Sequence, residues 1–298
     1  METAALAGPP IDEEELLTAP PPRLARAGAF LVRSPLTILG IIIVIGTLVA
    51  AIFGTWLAPH NPNIPDYSAL LASPSAAHPF GTDELGRDIL SRVLSGAKYS
   101  MIVSLCVLTI GVVVGATIGL IAGYFGGVVD EVLMRLTDIF LAFPALVLAI
   151  AIASTLGAGV VTTIIALGIV WWPWYARLVR GQVLAIREMA YVEAARVIGT
   201  RTPRMLVSHI LPETLAPIVI QLSLDVGYAI LASSSLSFIG LGAQPPTPEW
   251  GAMISDAQTY LRDGWWTATF PGVAIMVTAL GFNLLGDGLR DFLDPRLS

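Results

Sequence analysis

The sequence predicts an all-α membrane protein with six transmembrane helices. Three observations carry this. Of 298 residues, 55% are hydrophobic and only 13% are charged, whereas soluble domains carry about 25% charged residues. Mean hydropathy is +0.77. The apolar residues also gather in blocks close to the roughly 20 residues that cross a bilayer. A net charge of −6 leaves no basic face for nucleic acid. The lone cysteine, Cys106, lies inside an apolar block and reads as a small packed hydrophobe. His60, His78 and His209 are far apart along the chain, and no metal-binding or catalytic motif is present.

Residues 1–35 contain Asp12-Glu13-Glu14-Glu15 and Pro20-Pro21-Pro22 and read as a cytoplasmic acidic, proline-rich tail rather than a signal peptide. Residues 36–57 form the first span, ended by Ala58-Pro59-His60-Asn61-Pro62. Residues 58–98 are an extracytoplasmic segment. In it Thr82 or Asp83 caps an amphipathic helix with Leu85, Ile89, Leu90, Val93, Leu94 and Ala97 on one face. Residues 99–298 are the core, beginning with a span from Tyr99 to Gly123. The uncharged stretch Ile139 to Ala176 is too long for one helix, and Ser154-Thr155-Leu156-Gly157-Ala158-Gly159 divides it into two spans joined by a tight turn. The fifth span runs from Leu215 to Leu236 and the sixth from Trp265 to Leu285.

Two loops carry helices of their own. In the inner loop, 177–213, Ala190, Ala194, Ala195 and Ile198 recur at helical spacing, Gly199 supplies a left-handed end, and Thr202-Pro203 restarts a second helix. In the outer loop, 237–264, Thr247-Pro248-Glu249 opens a helix with Trp250, Met253, Ile254, Ala257, Tyr260 and Leu261 on one face. The outer pieces suit either interfacial anchoring or an extracytoplasmic gate and docking surface. With cytoplasmic termini, twelve basic residues fall inside and four (Arg87, Arg92, Lys98, Arg262) outside, as the positive-inside rule requires.

Inside the spans, Gly111, Gly115, Gly119 and Gly123 make a smooth ridge for close helix approach. Asp225, one turn beyond Gln221, is the one acid deep within a span. At a cost of at least about 2.5 kcal/mol in hydrocarbon, it belongs against a cavity or a polar partner. It suits a substrate pathway, with Gln221 and Asn283, or a structural hydrogen bond to a neighbouring helix. Arg135 and Asp138 are spaced to pair on one helix face. Trp171-Trp172-Pro173-Trp174-Tyr175 reads as an aromatic belt with a proline kink.

Glu193-Ala194-Ala195, then Gly199 after three residues, then His209-Ile210-Leu211-Pro212 after nine more, resembles the EAA loop of ABC importer permeases. His209 stands where the general pattern has isoleucine. Gly81-Thr82-Asp83 with Gly86-Arg87-Asp88, Ser237-Phe238-Ile239-Gly240-Leu241-Gly242 with Pro248-Glu249-Trp250-Gly251, and Gly286-Asp287-Gly288-Leu289-Arg290-Asp291 with Leu293-Asp294-Pro295-Arg296 extend the likeness. Together they resemble the second permease subunit of dipeptide/oligopeptide/nickel import systems, over about residues 30–298.

The resemblance implies a type I ABC importer permease (MetI-like) fold in a prokaryotic inner membrane. It implies an EAA coupling helix, with Glu193, Ala194, Ala195, Gly199, His209, Leu211 and Pro212, that docks on an ATPase. The implied partners are a second homologous permease, two ATPase subunits that bind ATP and Mg²⁺, and an extracytoplasmic solute-binding protein. The chain itself has no cofactor or catalytic residue in this reading. Its only lysine, Lys98, follows Ala97 rather than a P-loop glycine. Peptides are the leading cargo, with nickel complexes, opines or oligosaccharides as alternatives. An ion-coupled secondary transporter is the distant one, for which a single intramembrane acid is thin support.

Overall fold

A computed structural model describes residues 34–293. The acidic tail, the arginines within it (Arg23, Arg26, Arg33) and Asp294-Pro295-Arg296 lie outside the described residues. Within them the chain is helical apart from loops and one isolated β-bridge between Thr82 and Asp88. The helices are α1 (Pro35–Leu57), α2 (Ile89–Phe125), α3 (Gly127–Leu141), α4 (Ala145–Leu156), α5 (Val160–Ile186) and α6 (Ala190–Val197). They continue with α7 (Thr202–Phe238), α8 (Trp250–Ala257) and α9 (Trp266–Leu293). Five of these, α1, α2, α5, α7 and α9, are long and apolar enough to cross a membrane; α3 and α4 pass the same test only together, as a pair bent by 84° that forms either a broken sixth span or a re-entrant loop.

The glycine ridge explains how the bundle closes. A β-carbon on Gly115 would stand 2.3 Å from the Trp172 carbonyl oxygen, and one on Gly119 2.5 Å from that of Ala176. Only glycine lets α2 and α5 touch backbone to backbone there, so the two axes run together along most of their length. The ridge buries Val107, Leu108, Tyr175 and Val179 beside it. Helix α9 meets α7 at Gly227, where an added β-carbon would lie 2.9 Å from the Ala279 Cα. Helix α1 lies on the outside against α9, where the Thr47 and Thr278 hydroxyls are 3.3 Å apart. Most of its apolar face, including Leu36, Ile42, Ile45, Ile52 and Trp56, stays exposed, as suits a helix facing lipid.

The structure corrects the sequence reading in five places. The amphipathic helix of the 58–98 segment is not a separate element: it is the first part of α2, a single 37-residue helix. Neither Thr82 nor Asp83 caps it. Gly86 adopts φ +76°, which breaks any helix started upstream and leaves Leu85 outside. Asp88 is the cap, accepting from the Ser91 N–H. Next, α5 runs past Ala176 to Ile186, and α7 begins at Thr202, so the second inner-loop helix is the leading end of the fifth span. Thr202 is inside that helix, with Arg201 at the cap position and no side-chain capping bond. Lastly, Arg135 pairs with Glu131 at 3.7 Å while Asp138 pairs with Arg177 of α5. The packing of α3 against α5 gives Asp138 a partner across helices, and Arg135 turns back one turn to Glu131 on its own.

Replacing Gly119 by leucine should lower the melting midpoint of the detergent-solubilised chain or prevent its accumulation, since overpacking costs about 1–3 kcal/mol. Gly181→Ala on α5, where nothing lies within 4 Å of the added carbon, should melt at or slightly above the parent, since alanine is the better helix former by about 0.5–1 kcal/mol.

Candidate functional site

Two regions draw together the residues singled out by the sequence. The first is the segment between α5 and α7. Helix α6 ends in a Schellman arrangement: the Thr200 N–H donates to the Ala195 carbonyl (3.1 Å) and the Gly199 N–H to that of Arg196 (3.0 Å). Gly199 sits at φ +82° with open space around it, so backbone conformation rather than crowding requires glycine there. The helix is anchored by one face. Val192 and Ala195 are buried with Met205 and Ile210 of α7, and the Tyr191 hydroxyl donates to the His209 carbonyl (3.2 Å). The opposite face is open: Glu193 and Ala194 are exposed, and Val197 and Ile198 are each 82% exposed. An apolar pair so exposed at the tip of a short helix is unfavourable in water.

His209 lies in a π-helical stretch of α7, Met205–Ile210, immediately before Leu211 and Pro212. Proline lacks an N–H and its ring collides with the carbonyl four residues back. The wider π turn, in which the Leu211 N–H reaches the Leu206 carbonyl five residues back, accommodates that defect without ending the helix. The segment is also fastened to the membrane domain. The Arg187 Nη1 donates to the Gly123 carbonyl at the end of α2 (2.8 Å), and Arg180 holds Asp130 of α3 through both carboxylate oxygens.

The second region surrounds Asp225 on α7. The Tyr175 hydroxyl of α5 donates to its Oδ2 (2.8 Å) and the Gln221 Nε2 to its Oδ1 (2.9 Å). Both of the neighbours anticipated for this acid are therefore present: a hydrogen bond to an adjacent helix and a cavity. A cavity of about 320 Å³ opens here, lined by Ala145, Trp171, Trp174, Gln221, Asp225 and Tyr228. Trp171 and Tyr228 stand ring to ring at 5.4 Å, while Trp174 and Tyr228 are largely exposed. The acid thus faces a half-open aromatic recess with donors behind it and room in front. Asn283 is exposed on α9 and does not line this recess.

Two groupings escaped the sequence reading. Asp83, Glu84, Arg87 and Arg92 form a buried ionic knot beneath α8, with Arg87 Nε 2.6 Å from Asp83 Oδ2 and Arg87 Nη2 2.9 Å from Glu84 Oε1. Burial pushes the carboxyls of Glu84 and, nearby on α8, Asp256 above the usual carboxylate range. Asp83 and Arg87 are four residues apart, but in a turn outside any helix, so the helix-pair rule gives no basis for expecting the knot. His60 and His78 meet at Asp88, a convergence over 28 residues that no local spacing announces.

A helical membrane domain with an exposed, capped helix between two spans is the architecture of a transporter's membrane subunit. Residues 115–298 match the family model described as binding-protein-dependent transport system inner membrane component, and residues 24–74 match that of the N-terminal TM domain of oligopeptide transport permease C. The chain belongs to the family of binding-protein-dependent transport system inner membrane components, and is a multi-pass inner-membrane protein. It is 48% identical to the probable D,D-dipeptide transport system permease protein DdpC of Escherichia coli (strain K12), covering 88% of each chain. It is 44% identical to the dipeptide transport system permease protein DppC of Alkalihalophilus pseudofirmus, over 89% of this chain and 87% of that one. It is 46% identical to the glutathione transport system permease protein GsiD of Escherichia coli O157:H7, over 85% and 84%. Among solved structures, an amino acid ABC transporter crystallised with histidines superposes with a TM-score of 0.50 at 19% identity, covering 66% of this chain and 91% of that one. That likeness is one of fold.

Tyr175→Phe should keep the packing of this fully buried ring but remove one of the donors to Asp225. A drop of about 1–3 kcal/mol in stability is expected, read as a lower melting midpoint than the parent.

Proposed function

We propose that this chain is a permease subunit of an ATP-driven importer of small peptides. In this reading it lines one half of the translocation path beside a second, homologous permease. Two ATPase subunits and an extracytoplasmic solute-binding protein complete the complex, and the chain makes and breaks no covalent bonds. One observation carries the proposal: α6 presents Glu193, Ala194, Val197 and Ile198 outward while Val192, Ala195 and the Tyr191–His209 bond hold it to α7. A rigidly seated helix with a small-residue, partly apolar outer face is what a groove on another protein requires. Gly199 sets where that helix stops, and the π turn with His209, Leu211 and Pro212 passes its position on to α7, the helix that carries Asp225. The names of the relatives, dipeptide and glutathione permeases, support a short peptide as cargo.

The basic residues supply the orientation. Arg177, Arg180, Arg187, Arg196, Arg201 and Arg204 lie in or flank α6 along the chain, so this end is cytoplasmic by the positive-inside rule. With six crossings both termini lie there too. The α1–α2 connection, residues 58–88, and the helix α8 then face outward.

Asp225 has a role of its own in this scheme. A carboxylate at the back of an aromatic recess favours a cation, through charge and through the faces of the tryptophan and tyrosine rings. The cation a peptide offers is its amino terminus. Gln221 keeps the carboxylate oriented toward it.

The coupling role is tested by replacing Gly199 with valine, whose β-branched side chain is strained at φ +82°, in the assembled complex. Peptide uptake should fall at least about tenfold, the size of a typical coupling energy, and the ATPase subunits should co-purify less well. Undiminished uptake and co-purification would remove α6 from the coupling role. The pathway role is tested by Asp225→Asn at equal expression and assembly. The half-saturating concentration for a dipeptide should rise while an N-acetylated dipeptide is unaffected. Unchanged uptake of both would make Asp225 structural only.

A further inference from the structure

Beyond the transport path, the face where α1 ends and α2 begins brings together three side chains that the transport reading does not use. His60 follows α1, His78 lies in the connecting loop, and Asp88 caps α2. One donor atom from each lies within 4.8 Å of the others. Both imidazoles turn a Nδ1 toward the same carboxylate oxygen: His78 Nδ1 is 3.0 Å and His60 Nδ1 3.8 Å from Asp88 Oδ1. The rings stand 4.8 Å apart, tilted by 36°.

The surroundings hold this arrangement in place. Asp88 divides its oxygens: Oδ2 accepts from the Ser91 N–H and Oγ–H, leaving Oδ1 to the imidazoles. The Ser91 Oγ in turn accepts from the His60 backbone N–H at 3.0 Å, so the residue that caps α2 also fixes where His60 sits. His78 is pinned through its own backbone, its carbonyl accepting from the N–H groups of Ser75 and Gly81 (2.9 Å each). Asp88 is almost wholly buried, His78 largely so, and His60 about half exposed.

We propose that His60, His78 and Asp88 form a binding site for a zinc-class divalent metal ion. Two imidazole nitrogens and a carboxylate oxygen are the donor set of borderline transition metals rather than of Mg²⁺ or Ca²⁺, which take oxygen ligands. The spacing agrees. Tetrahedral zinc with bonds of about 2.0–2.1 Å places its ligand atoms roughly 3.3 Å apart; His78 and Asp88 at 3.0 Å are already near this, while the His60 nitrogen, 3.8 Å from Asp88 in a set spread over no more than 4.8 Å, has to move inward. A small rotation of the half-exposed His60 ring closes the set, and the solvent side leaves a fourth position for water. The metal replaces the His78–Asp88 hydrogen bond, with each imidazole neutral and its proton on Nε2. A bound ion staples the loop after α1, the middle of the connection and the start of α2 at one point. The site stands on its own geometry and is independent of the peptide reading.

The test is titration of the EDTA-treated, tag-free full chain in lipid nanodiscs with Zn²⁺ alone, followed by calorimetry and thermal melting. The parent should bind one equivalent and melt at a higher temperature with zinc. His60→Ala, at a partly exposed position away from the helix cap, should melt like the parent in EDTA. It should bind at least about tenfold more weakly, as loss of one of three ligands requires, and lose the zinc-induced rise. His78→Ala should likewise bind more weakly and lose the zinc-induced rise, from a lower starting melt because the buried Asp88 loses a hydrogen bond, and His209→Ala should behave as the parent. Absence of saturable binding by the parent would overturn the proposal. So would binding that survives both His60→Ala and His78→Ala, or an equal response to Mg²⁺ or Ca²⁺.

Discussion

The close approach of α2 to α5 is the constraint on which the rest of the molecule depends. Lipid offers no hydrophobic reward for joining two apolar helices, so association rests on packing quality and on polar bonds between them. Four glycines one turn apart let backbone meet backbone, and that contact positions the elements at both ends of the pair. At one end Gly123 offers its carbonyl to Arg187, which steadies the start of the α5–α6 turn. Midway, the same packing buries Tyr175 and points its hydroxyl at Asp225. At the other end, Gly96 admits the Pro248 carbonyl at a distance a β-carbon would forbid, so the approach to α8 rests on the same helix.

A second constraint is proline placed inside helices that do not end. Pro173, Pro217 and Pro271 lie within α5, α7 and α9, and Pro212 follows a π-helical stretch. Each removes one backbone bond from a helix that must otherwise satisfy every polar group internally. The helices nevertheless run on through Pro173, Pro217 and Pro271 without ending, and before Pro212 the turn widens. The segment next to the exposed helix α6 is thereby the least regular part of α7.

Much of this was legible in the chain itself. The first, second, fourth, fifth and sixth spans, the glycine ridge, the left-handed Gly199 and the helix opened by Glu249 all follow from local periodicity and backbone preference; the third, expected to run on from Ile139, is instead broken between Leu141 and Ala145. What stayed hidden depends on contacts between distant residues or on continuity across a boundary. Nothing local says that the amphipathic stretch before Tyr99 and the span after it are one helix, since both patterns are compatible with a break. Arg135 and Asp138 satisfy the rule for a helix pair, but α5 packs alongside and offers Asp138 a better partner in Arg177. Gln221 and Asp225 were placed together by spacing, whereas Tyr175, fifty residues away, could be found only in three dimensions. His60, His78 and Asp88 illustrate the same limit at the other face.

The length of α2 has a mechanical meaning. At 1.5 Å per residue its 37 residues extend about 55 Å, well beyond the roughly 30 Å of hydrocarbon. One end is clamped by the Asp88 cap and the ionic knot around Arg87; the other is held by Arg187, next to α6. Were such a rod to pivot at one end, a tilt of about 10° would sweep the other through roughly 10 Å. A displacement at the α6 end need not pass through a chain of adjusting side chains to be felt at the far face, because a single stiff element already spans the distance.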